Sequence, residues 1–513
     1  MTTAPERPAV SNPLLDLLRT AATERPDEVA IVDGSIRWTW GRLAGRADAA
    51  AALLSRCGVR DGDRVLLIDK NGPAHLVALF ACGLLRAVFV PVNWRLATPE
   101  LRALVADADC PVVIAGPDEA GRIAEVAVAA ARSCRTITTA ELLAAPAAGQ
   151  GPEPGEPGDV LAQLYTSGTT GVPKGALFGA ANLRVLMTDV GRAWDLGPAD
   201  VSLGAMPLFH MGGLAWAIAS LARGARLVLM RDFAPQAVLD ADRDEGVTAA
   251  FFVPAMIAAL LDTLESSGQR LGLRRMTYSG SPMPPALLAR ARRLLQADLC
   301  QIYGLTEATG AFAQLEPADH VGDRSRSVGK PYPWAEVAVV DPVTAAPVGP
   351  GAEGEIWTRS AQNFLGYHRQ PEETPAALTP DGWLRTGDVG LIDGDGYIWL
   401  LDRRKDMIIS GGENVYPAEV EKVLAAYEPV LEAAVIGVPS PRWGETVKAV
   451  VVPRPGAVVN EADLIAFTRK QLAAFKCPTS VDIVQALPRT ATGKIRKDIV
   501  RAPYWAGRDR PIG

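Results

Sequence analysis

Short apolar runs alternate with longer amphipathic segments over residues 28–115. Runs rich in aliphatic and β-branched residues predict strands, and apolar residues at helical spacing predict helices. The predicted strands are 28–32, 37–40, 64–68, 87–92 and 111–115, and the predicted helices are 40–57, 73–86 and 99–107. This alternation is typical of a doubly wound α/β layer.

A stretch rich in Pro, Gly, Ala and Glu interrupts the pattern at residues 144–158 and predicts a loop or a junction between subdomains. The alternation then resumes. Helices are predicted at 182–194 and 213–222, and strands at 201–206, 225–230, 248–253, 275–279 and 299–303. Short Val-rich runs separated by Gly and Pro between residues 327 and 355 predict a small β-rich subdomain.

The composition of the sequence changes after residue 402. There the charged cluster Arg403-Arg404-Lys405-Asp406 precedes three apolar residues and Ser410-Gly411-Gly412. Pro417 suits the first turn of a helix. Helices at 418–427 and 461–472 and strands at 433–438, 446–452 and 481–485 complete an α+β unit. We therefore predict two domains, an α/β N-terminal domain over residues 1–402 and a smaller α+β C-terminal domain over residues 403–513.

Composition and charge narrow the class of protein. The 513 residues are 48% hydrophobic and 21% charged, which is ordinary for a globular protein with a large core. A net charge of −6 argues against nucleic acid or an anionic membrane as the main partner. The six scattered cysteines indicate a reducing compartment and no structural zinc site. The start is not a signal peptide, and no apolar run approaches ~18 residues, so we predict a cytoplasmic protein with no membrane-spanning segment. The oligomeric state stays open, with a dimer as one option.

One loop stands out for its chemistry. Residues 165–175 read Tyr-Thr-Ser-Gly-Thr-Thr-Gly-Val-Pro-Lys-Gly and follow an apolar run that predicts a strand. Glycines expose backbone N–H groups, hydroxyls add donors, and Lys174 adds a positive charge, so a polyphosphate is the expected ligand. The spacing differs from that of a Walker A loop. A Ser/Thr/Gly-rich surface loop is the alternative interpretation, and the motifs that follow along the chain disfavour it.

Further motifs lie in order after this loop: residues 206–210 (Met-Pro-Leu-Phe-His), 303–307 (Tyr-Gly-Leu-Thr-Glu), 385–388 (Arg-Thr-Gly-Asp), 402–417 and 489–497. Together they resemble the adenylate-forming superfamily of acyl-CoA synthetases, aryl-CoA ligases, luciferases and carrier-loading adenylation domains. The resemblance covers about residues 15–500. It implies a mobile C-terminal domain and two half-reactions. A carboxylate first attacks the α-phosphorus of ATP and expels pyrophosphate, and a thiol then displaces AMP.

The resemblance also implies a nucleotide site. The phosphates would be held by Thr166, Ser167, Gly168, Thr169, Thr170 and Lys174. Glu307 would hold Mg²⁺, and Thr306 would contact the α-phosphate. The adenine slot would consist of Ser279, Gly280, Ser281, Tyr303 and Gly304, with the ribose hydroxyls on Asp388 and Arg403 in support.

The same resemblance implies residues for catalysis, for movement of the C-terminal domain and for entry of the acceptor. Lys494 would bridge the carboxylate and the α-phosphate, Lys405 would be the hinge, and Gly411 and Gly412 would line the tunnel for the acceptor's pantetheine. A histidine that ends an apolar strand is more often structural, but the resemblance places His210 beside the acyl pocket, where it would gate the substrate and the incoming thiol.

The pocket walls inferred from the sequence are apolar: Phe209, Met211, Gly212, Gly213, Trp216, Phe251, Phe252, Gly304, Gly310, Ala311 and Phe312. They include no carboxylate for an amino group, which disfavours an α-amino acid and favours a fatty or aryl acid. Relatives commonly carry Thr-His-x-Asn where this chain has Gly179-Ala180-Ala181-Asn182, which predicts a more open substrate side.

These features predict an ATP-dependent acid:CoA ligase that uses Mg²⁺ and coenzyme A. The alternative is an adenylating enzyme whose acceptor is a carrier protein's pantetheine or a non-thiol nucleophile, and its substrate could include a small oxyanion such as nitrite. A nucleotide-binding regulator without turnover is a third class. Lys494, Asp388 and Glu307 together argue against it.

Overall fold

The structure, a computed structural model, describes residues 11–127, 133–146, 160–166, 173–280, 283–341, 344–403, 408–488, 495 and 497–506. The predicted strands and helices of residues 28–115 are confirmed, with ends that shift by at most one residue. A first helix, which the sequence analysis did not predict, begins after Asn12, whose side chain accepts a hydrogen bond from the Leu14 N–H and so caps it. In chain order the elements up to residue 178 are α1 Pro13–Glu24, β1 Val29–Asp33, β2 Ile36–Thr39, α2 Trp40–Arg56, β3 Arg64–Ile68, α3 Pro73–Leu85, β4 Val88–Val92, α4 Thr98–Ala108, β5 Val112–Ala115, α5 Ala120–Ala127, β6 Arg135–Thr138, α6 Thr139–Leu143, β7 Ala162–Thr166 and β8 Lys174–Phe178.

The middle of the chain continues the alternation with three differences from the prediction, one of which is an additional strand at Gly310–Leu315. The predicted helix over 182–194 is interrupted by a π-helical turn, Leu186–Val190. Three helices after residue 234 escaped the prediction although each begins with a proline in its first turn. The elements are α7 Ala180–Val185, α8 Gly191–Ala193, β9 Val201–Gly204, α9 Met211–Ala222, β10 Arg226–Leu229, α10 Pro235–Glu245, β11 Ala249–Phe252, α11 Pro254–Ser267, β12 Arg275–Tyr278, α12 Pro285–Leu294, β13 Asp298–Leu305 and β14 Gly310–Leu315.

The last part contains the predicted β-rich subdomain and the predicted α+β unit. The subdomain is an antiparallel sheet in the order β16-β17-β19-β20. The elements are β15 Lys330–Pro331, β16 Glu336–Val340, β17 Gly354–Arg359, β18 Gly366–Tyr367, α13 Glu373–Ala377, β19 Leu384–Ile392, β20 Ile398–Arg403, β21 Ile408–Ser410, β22 Glu413–Val415, α14 Pro417–Ala425, β23 Val430–Ser440, β24 Gly444–Pro453, α15 Glu461–Arg469, β25 Ser480–Ile483 and α16 Lys497–Trp505.

Two large sheets organise the N-terminal domain, as the described residues show it. One has the strand order β15-β14-β13-β12-β11-β9-β10-β1-β2, and the other has the order β18-β8-β7-β4-β3-β5-β6. Neighbouring strands are parallel from β9 to β13 and from β3 to β6, as the βα alternation predicts. The C-terminal sheet has the order β22-β21-β24-β23, with β25 beside β24. None of the described helices is long and apolar enough to cross a membrane.

The buried helix α3 carries an ionisable group that makes stability depend on pH. His75 is 1% exposed, and burial lowers its pKa from 6.5 to about 3, against a smaller opposing effect of the Gly72 carbonyl. Below pH 6.5 the unfolded chain therefore binds a proton that the folded protein excludes. Stability is expected to fall by about 1.4 kcal/mol per pH unit from pH 6.5 towards pH 3 because of this residue alone.

Urea unfolding of the wild type and of His75→Met at pH 7, 6 and 5 measures this contribution. The difference between their free energies of unfolding is expected to approach a change of about 1.4 kcal/mol per pH unit below pH 6.5. The reason is that His75→Met removes the titratable imidazole but keeps the helix apolar. Parallel pH dependences for the two proteins would show that His75 does not exclude a proton.

Candidate active site

A cleft of about 720 Å³ lies where β11, β12 and β13 end, facing the four-stranded sheet and the C-terminal domain. These strands are parallel, so their carboxyl ends meet at one edge, which is where open α/β sheets bind ligands. The cleft is lined by residues from both domains, among them Asp388 of β19 and Gly412 of the C-terminal domain. The motifs separated along the sequence thus converge on one space.

The predicted adenine slot lies at the ends of β12 and β13. Ser279 and Gly280 follow β12 and line the cleft, and the Ser279 hydroxyl donates a hydrogen bond of 2.7 Å to the Ile302 carbonyl. Gly304 also lines the cleft, and a Cβ there would lie 1.9 Å from the Gly310 carbonyl oxygen. Only glycine therefore lets β13 and β14 approach this closely. Ser281 lies outside the described residues.

The predicted ribose site is built on β19. Asp388 is 7% exposed, lines the cleft and accepts a hydrogen bond of 2.7 Å from the Tyr303 hydroxyl. The Tyr303 ring packs edge-on against Phe312, with ring centroids 4.8 Å apart, and is not a wall of the cleft. Stacking of Tyr303 on adenine therefore stays a prediction. Arg403 on β20 lies directly opposite Asp388 in the antiparallel register, as a supporting role requires.

The predicted phosphate loop joins two antiparallel strands. Thr166 ends β7 opposite Lys174, which begins β8, and the Thr166 hydroxyl donates to the Lys174 carbonyl over 3.4 Å. Ser167, Gly168, Thr169 and Thr170 lie outside the described residues. The Lys174 ammonium forms an ion pair with Glu373 of α13 and lies 5.3 Å from the centre of the Tyr367 ring. Both charged residues line the cleft, so a bound polyphosphate would compete with Glu373 for the lysine.

Thr306 and Glu307 occupy a 3₁₀ turn directly after β13, and both line the cleft. The Tyr367 hydroxyl donates a hydrogen bond of 2.7 Å to Glu307, and burial together with this carboxylate raises the pKa of Tyr367. In the described part of the chain, no three His, Cys, Asp or Glu residues cluster as metal ligands. Mg²⁺ is usually held by one or two carboxylates together with phosphate oxygens and water, so the single carboxylate of Glu307 fits a magnesium ion that a nucleotide brings with it.

His210 connects the two domains. It precedes the first turn of α9, and its Nε2 lies 2.7 Å from Glu413 of the C-terminal domain. Arg95 donates to the other Glu413 oxygen over 3.1 Å. Burial acts to raise the pKa of Glu413, but His210, Arg95 and Lys476 lower it below its ordinary value. Glu413 is therefore ionised at neutral pH, and the His210 Nε2–H donates to it.

Of the glycine pair of the C-terminal domain, Gly412 lines the cleft and lies against the N-terminal domain, whereas Gly411 lies against Trp443 of its own domain. Gly411 and Gly412 have φ of +59° and +85°, and a Cβ on Gly412 would lie 3.0 Å from Val253. On Gly411 it would lie 2.6 Å from the Trp443 ring. The turn requires glycine at both positions, which fits the predicted tunnel wall. The predicted hinge, Lys405, lies outside the described residues.

A buried ion cluster fixes this arrangement of the domains. Lys476 of the C-terminal domain donates to Glu100 of α4 over 2.6 Å and to Glu419 of α14 over 2.8 Å. Glu100 also accepts a hydrogen bond of 2.7 Å from the Ala473 N–H. Burial acts to lower the pKa of Lys476, but the two carboxylates raise it above its ordinary value. The sequence analysis missed this cluster because Glu100 and Lys476 are 376 residues apart.

The catalytic lysine inferred from the sequence, Lys494, lies outside the described residues. Its neighbour Ile495 packs against Ala434, Ile436 and Val450. Alternate residues of the same strands, such as Val435 and Val451, pack with Cys477 on the other face of the sheet. Ile495 therefore lies on the face opposite the one that carries Lys476 and the cleft contacts.

The structure brings some of the predicted pocket residues to the cleft and leaves others away from it. Phe209, Met211, Gly212, Phe251, Gly304, Gly310 and Ala311 line the cleft. The assignment of Phe252 is wrong, because side chains alternate along β11 and Phe252 packs on the other face with Leu203 and Tyr278. Trp216 lies behind the lining of the cleft, stacked on Trp194 and tilted against Phe251. Gly213 and Phe312 also lie behind it, Gly213 against the Pro207 carbonyl and Phe312 against Tyr303.

Other cleft residues escaped the sequence analysis, namely Trp194, Met206, Ala215, Val253 and Ile302. Ala215 could have been found, since it lies one helical turn after Met211. Nothing in the sequence marks Trp194. In the segment 179–182 the shared asparagine has a structural role, and the more open substrate side stays a prediction. Asn182 accepts from the Gly179 N–H and donates to the Ala361 and Asn363 carbonyls.

Comparisons with known proteins agree with this geometry. Residues 18–368 match the AMP-binding enzyme family, and residues 419–494 match the AMP-binding enzyme C-terminal domain. A feruloyl-CoA synthase from an Amycolatopsis species is 42% identical over 484 residues, which span 93% of this chain and 96% of the relative.

Two solved structures of one enzyme match this chain to different degrees. A double mutant of o-succinylbenzoate CoA synthetase from Bacillus subtilis, bound with a product analogue, superposes with a TM-score of 0.86 at 29% identity, covering 94% of this chain and 97% of that one. The same enzyme in complex with its acyl-adenylate intermediate gives 0.69 at 28% identity, covering 95% and 98%. The arrangement described above is thus closer to that of the product-analogue complex. By its sequence and its domain structure, the chain belongs to the AMP-binding enzyme family of adenylate-forming ligases.

Proposed function

We propose that this protein is an ATP-dependent acid:CoA ligase for an apolar carboxylic acid. The carboxylate oxygen attacks the α-phosphorus of ATP, an acyl-AMP forms and pyrophosphate leaves. The sulfur of coenzyme A then attacks the acyl carbon, and AMP and the thiol proton leave. The observation that carries this proposal is the shared cleft. Thr306, Glu307 and Asp388 line it from the nucleotide side, and Gly412 and Glu413 line it from the C-terminal domain.

The N-terminal domain supplies the groups for the first half-reaction. Asp388 is an acceptor for ribose hydroxyls, and Lys174 is a cation for phosphate oxygens. A magnesium ion on Glu307, when bound, would neutralise charge on the phosphates. The apolar walls exclude water from the acyl carbon, which protects an acyl-adenylate from hydrolysis.

The C-terminal domain would serve the two half-reactions in two orientations. The orientation seen here holds Gly412 against Val253 and pairs Glu413 with His210. Its similarity to a complex with a CoA product analogue supports its assignment to the second half-reaction. Ile495 packs on the far face of the sheet, which supports the assignment of the predicted role of its sequence neighbour Lys494 to the other orientation. Such rotation is an established way for one site to serve two steps.

Pyrophosphate release tests the first step. The purified protein, with ATP and Mg²⁺, is incubated with ferulate, cinnamate, decanoate, hexadecanoate or nitrite, and ferulate enters the panel because of the feruloyl-CoA synthase relative. We expect acid-dependent release with an apolar acid, abolished by EDTA and restored by excess Mg²⁺. Release without added acid, or with nitrite alone, contradicts the proposal.

The acceptor is tested by mass spectrometry. Coenzyme A, a phosphopantetheinylated carrier protein and an amine are added in separate reactions to the acid that gives the fastest release. The proposal expects an acyl-CoA as the main product. A higher rate constant with the carrier protein or the amine would instead assign the protein to the alternative acceptor class.

A further inference from the structure

We propose that Trp194 and Tyr332 form a fixed wall at the acid end of the cleft, and that this wall restricts the substrate to planar aromatic acids and excludes long alkyl acids. The inference rests on the proposed function and adds the substrate class to it. We call these two side chains the Trp194–Tyr332 wall.

The wall separates two spaces. Trp194 lines the cleft, together with Phe251 and Ala215. Tyr332 lines a second cavity of about 490 Å³, together with Gln314 and Trp334. The Trp194 indole N–H donates to the Tyr332 hydroxyl over 3.0 Å, and the two residues are 1% and 4% exposed. At this point the partition between the spaces is two side chains thick.

Hydrogen bonds hold the wall in place. The Tyr332 hydroxyl donates to the Gln314 side-chain oxygen over 3.0 Å, and the Gln314 amide donates to the Ala193 carbonyl over 3.1 Å. This series of hydrogen bonds ends at Ala193, the residue next to Trp194. A rotation of the Trp194 indole out of the wall would leave its buried N–H without this partner, which costs free energy.

Aromatic packing holds the same side chains. Trp194 stacks on Trp216 with ring centroids 5.5 Å apart, and Tyr332 stacks on Trp334 at 4.6 Å. The Trp334 indole in turn donates to Gln362 over 2.8 Å. Buried side chains that are both stacked and hydrogen-bonded have little freedom to move, so the wall does not act as a gate that an alkyl chain opens.

The space in front of the wall suits a flat ring. Aromatic side chains bound it at Phe209, Phe251 and Trp194, and residues with small or no side chains bound it at Gly212, Ala215 and Gly310. Aromatic faces favour an aromatic guest by offset or edge-on stacking. A long alkyl chain would have to continue through the position of the Trp194 indole. The expected substrate is therefore an aryl or arylalkenoic acid such as cinnamate.

Removal of the indole should lengthen the acid end of the cleft as far as the Tyr332 ring. The value of kcat/KM for acyl-CoA formation is measured with cinnamate and with hexadecanoate, for the wild type, Trp194→Ala and Trp194→Phe. The wild type is expected to prefer cinnamate. In Trp194→Ala the ratio of hexadecanoate to cinnamate should rise by about 100-fold, since each fitted or excluded methylene changes the ratio by roughly 10-fold or more. Trp194→Phe, which keeps a ring in the core, should give a smaller rise.

Trp399→Ala is the matched control, because it removes the same side chain at a half-buried position that lines neither the cleft nor the second cavity. Its substrate ratio should equal that of the wild type. Equal use of both acids by the wild type, or an unchanged ratio in both Trp194 variants, would overturn the proposal.

Binding separates this inference from the proposed function. The dissociation constants of cinnamoyl- and hexadecanoyl-sulfamoyl adenosine, which mimic the acyl-adenylates, are measured by calorimetry for the same proteins. They should follow the same order as the kinetic ratios. A protein without turnover that still shows this order would refute the ligase reaction and keep the wall. Normal turnover with equal affinities in all variants would keep the reaction and refute the wall.

Discussion

Lys494→Ala is expected to lower the rate of acyl-adenylate formation by about 10²–10³-fold while thioester formation from supplied acyl-adenylate and CoA stays near the wild-type rate. The reason is that a cation placed where charge develops in the transition state contributes to that step alone. In the proposed reaction the orientation seen here serves the second step, and Ile495 packs on the face of the C-terminal sheet away from the cleft.

The two half-reactions are assayed separately, as pyrophosphate release with acid and ATP, and as acyl-CoA formed from synthetic acyl-adenylate. Lys497→Ala is the control, because Lys497 lies three residues further on and pairs with Glu421 at 2.7 Å within the C-terminal domain. It should leave both rates unchanged. Equal losses in the two half-reactions of Lys494→Ala would refute a role confined to the first.

Lys476→Met is expected to affect the second half-reaction and not the first. It should slow thioester formation from supplied acyl-adenylate by about 100-fold or more. The substitution leaves Glu100 and Glu419 buried together without their cation in the orientation seen here. Breaking a buried ion pair in this way costs about 3–5 kcal/mol. The orientation that binds the thiol would then be populated less, whereas the first half-reaction does not depend on it.

Pyrophosphate release at saturating acid and ATP is the internal reference for this variant. Thioester formation is measured at subsaturating CoA, because saturating CoA would restore the population of the orientation that binds it. Lys470→Met provides the control, because Lys470 is an exposed lysine of the same domain. An equal loss of pyrophosphate release in Lys476→Met would contradict a role of Lys476 in the second orientation alone.

Local patterns were sufficient for most of the fold. The apolar run of β3 and the proline-initiated helix α3 depend on neighbours in the sequence, and their predicted bounds match to within one residue. The break in the predicted 182–194 helix was not predictable in this way. A π-helical turn differs from an α-helix by one hydrogen-bond register, and the apolar spacing through it stays nearly helical.

The site was predictable where chemistry restricts the residue type. Glu307, Asp388 and Gly304 line the cleft as expected, since a metal ligand, a ribose acceptor and a close backbone contact each admit few residues. The walls were less predictable, because an apolar residue fits a pocket or a core equally well. Phe251 and Phe252 are adjacent and chemically identical, and only the direction of β11 decides which one faces the cleft.

The ion pair between Lys174 and Glu373 has a consequence for turnover. The lysine is buried, and the carboxylate of α13 keeps its charge compensated. If Lys174 binds the phosphates as proposed, Glu373 would replace pyrophosphate as the counter-ion of the lysine when that product leaves. The cleft would then exchange one anion for another without exposing an uncompensated ammonium, which would lower the free energy needed to release the inorganic product.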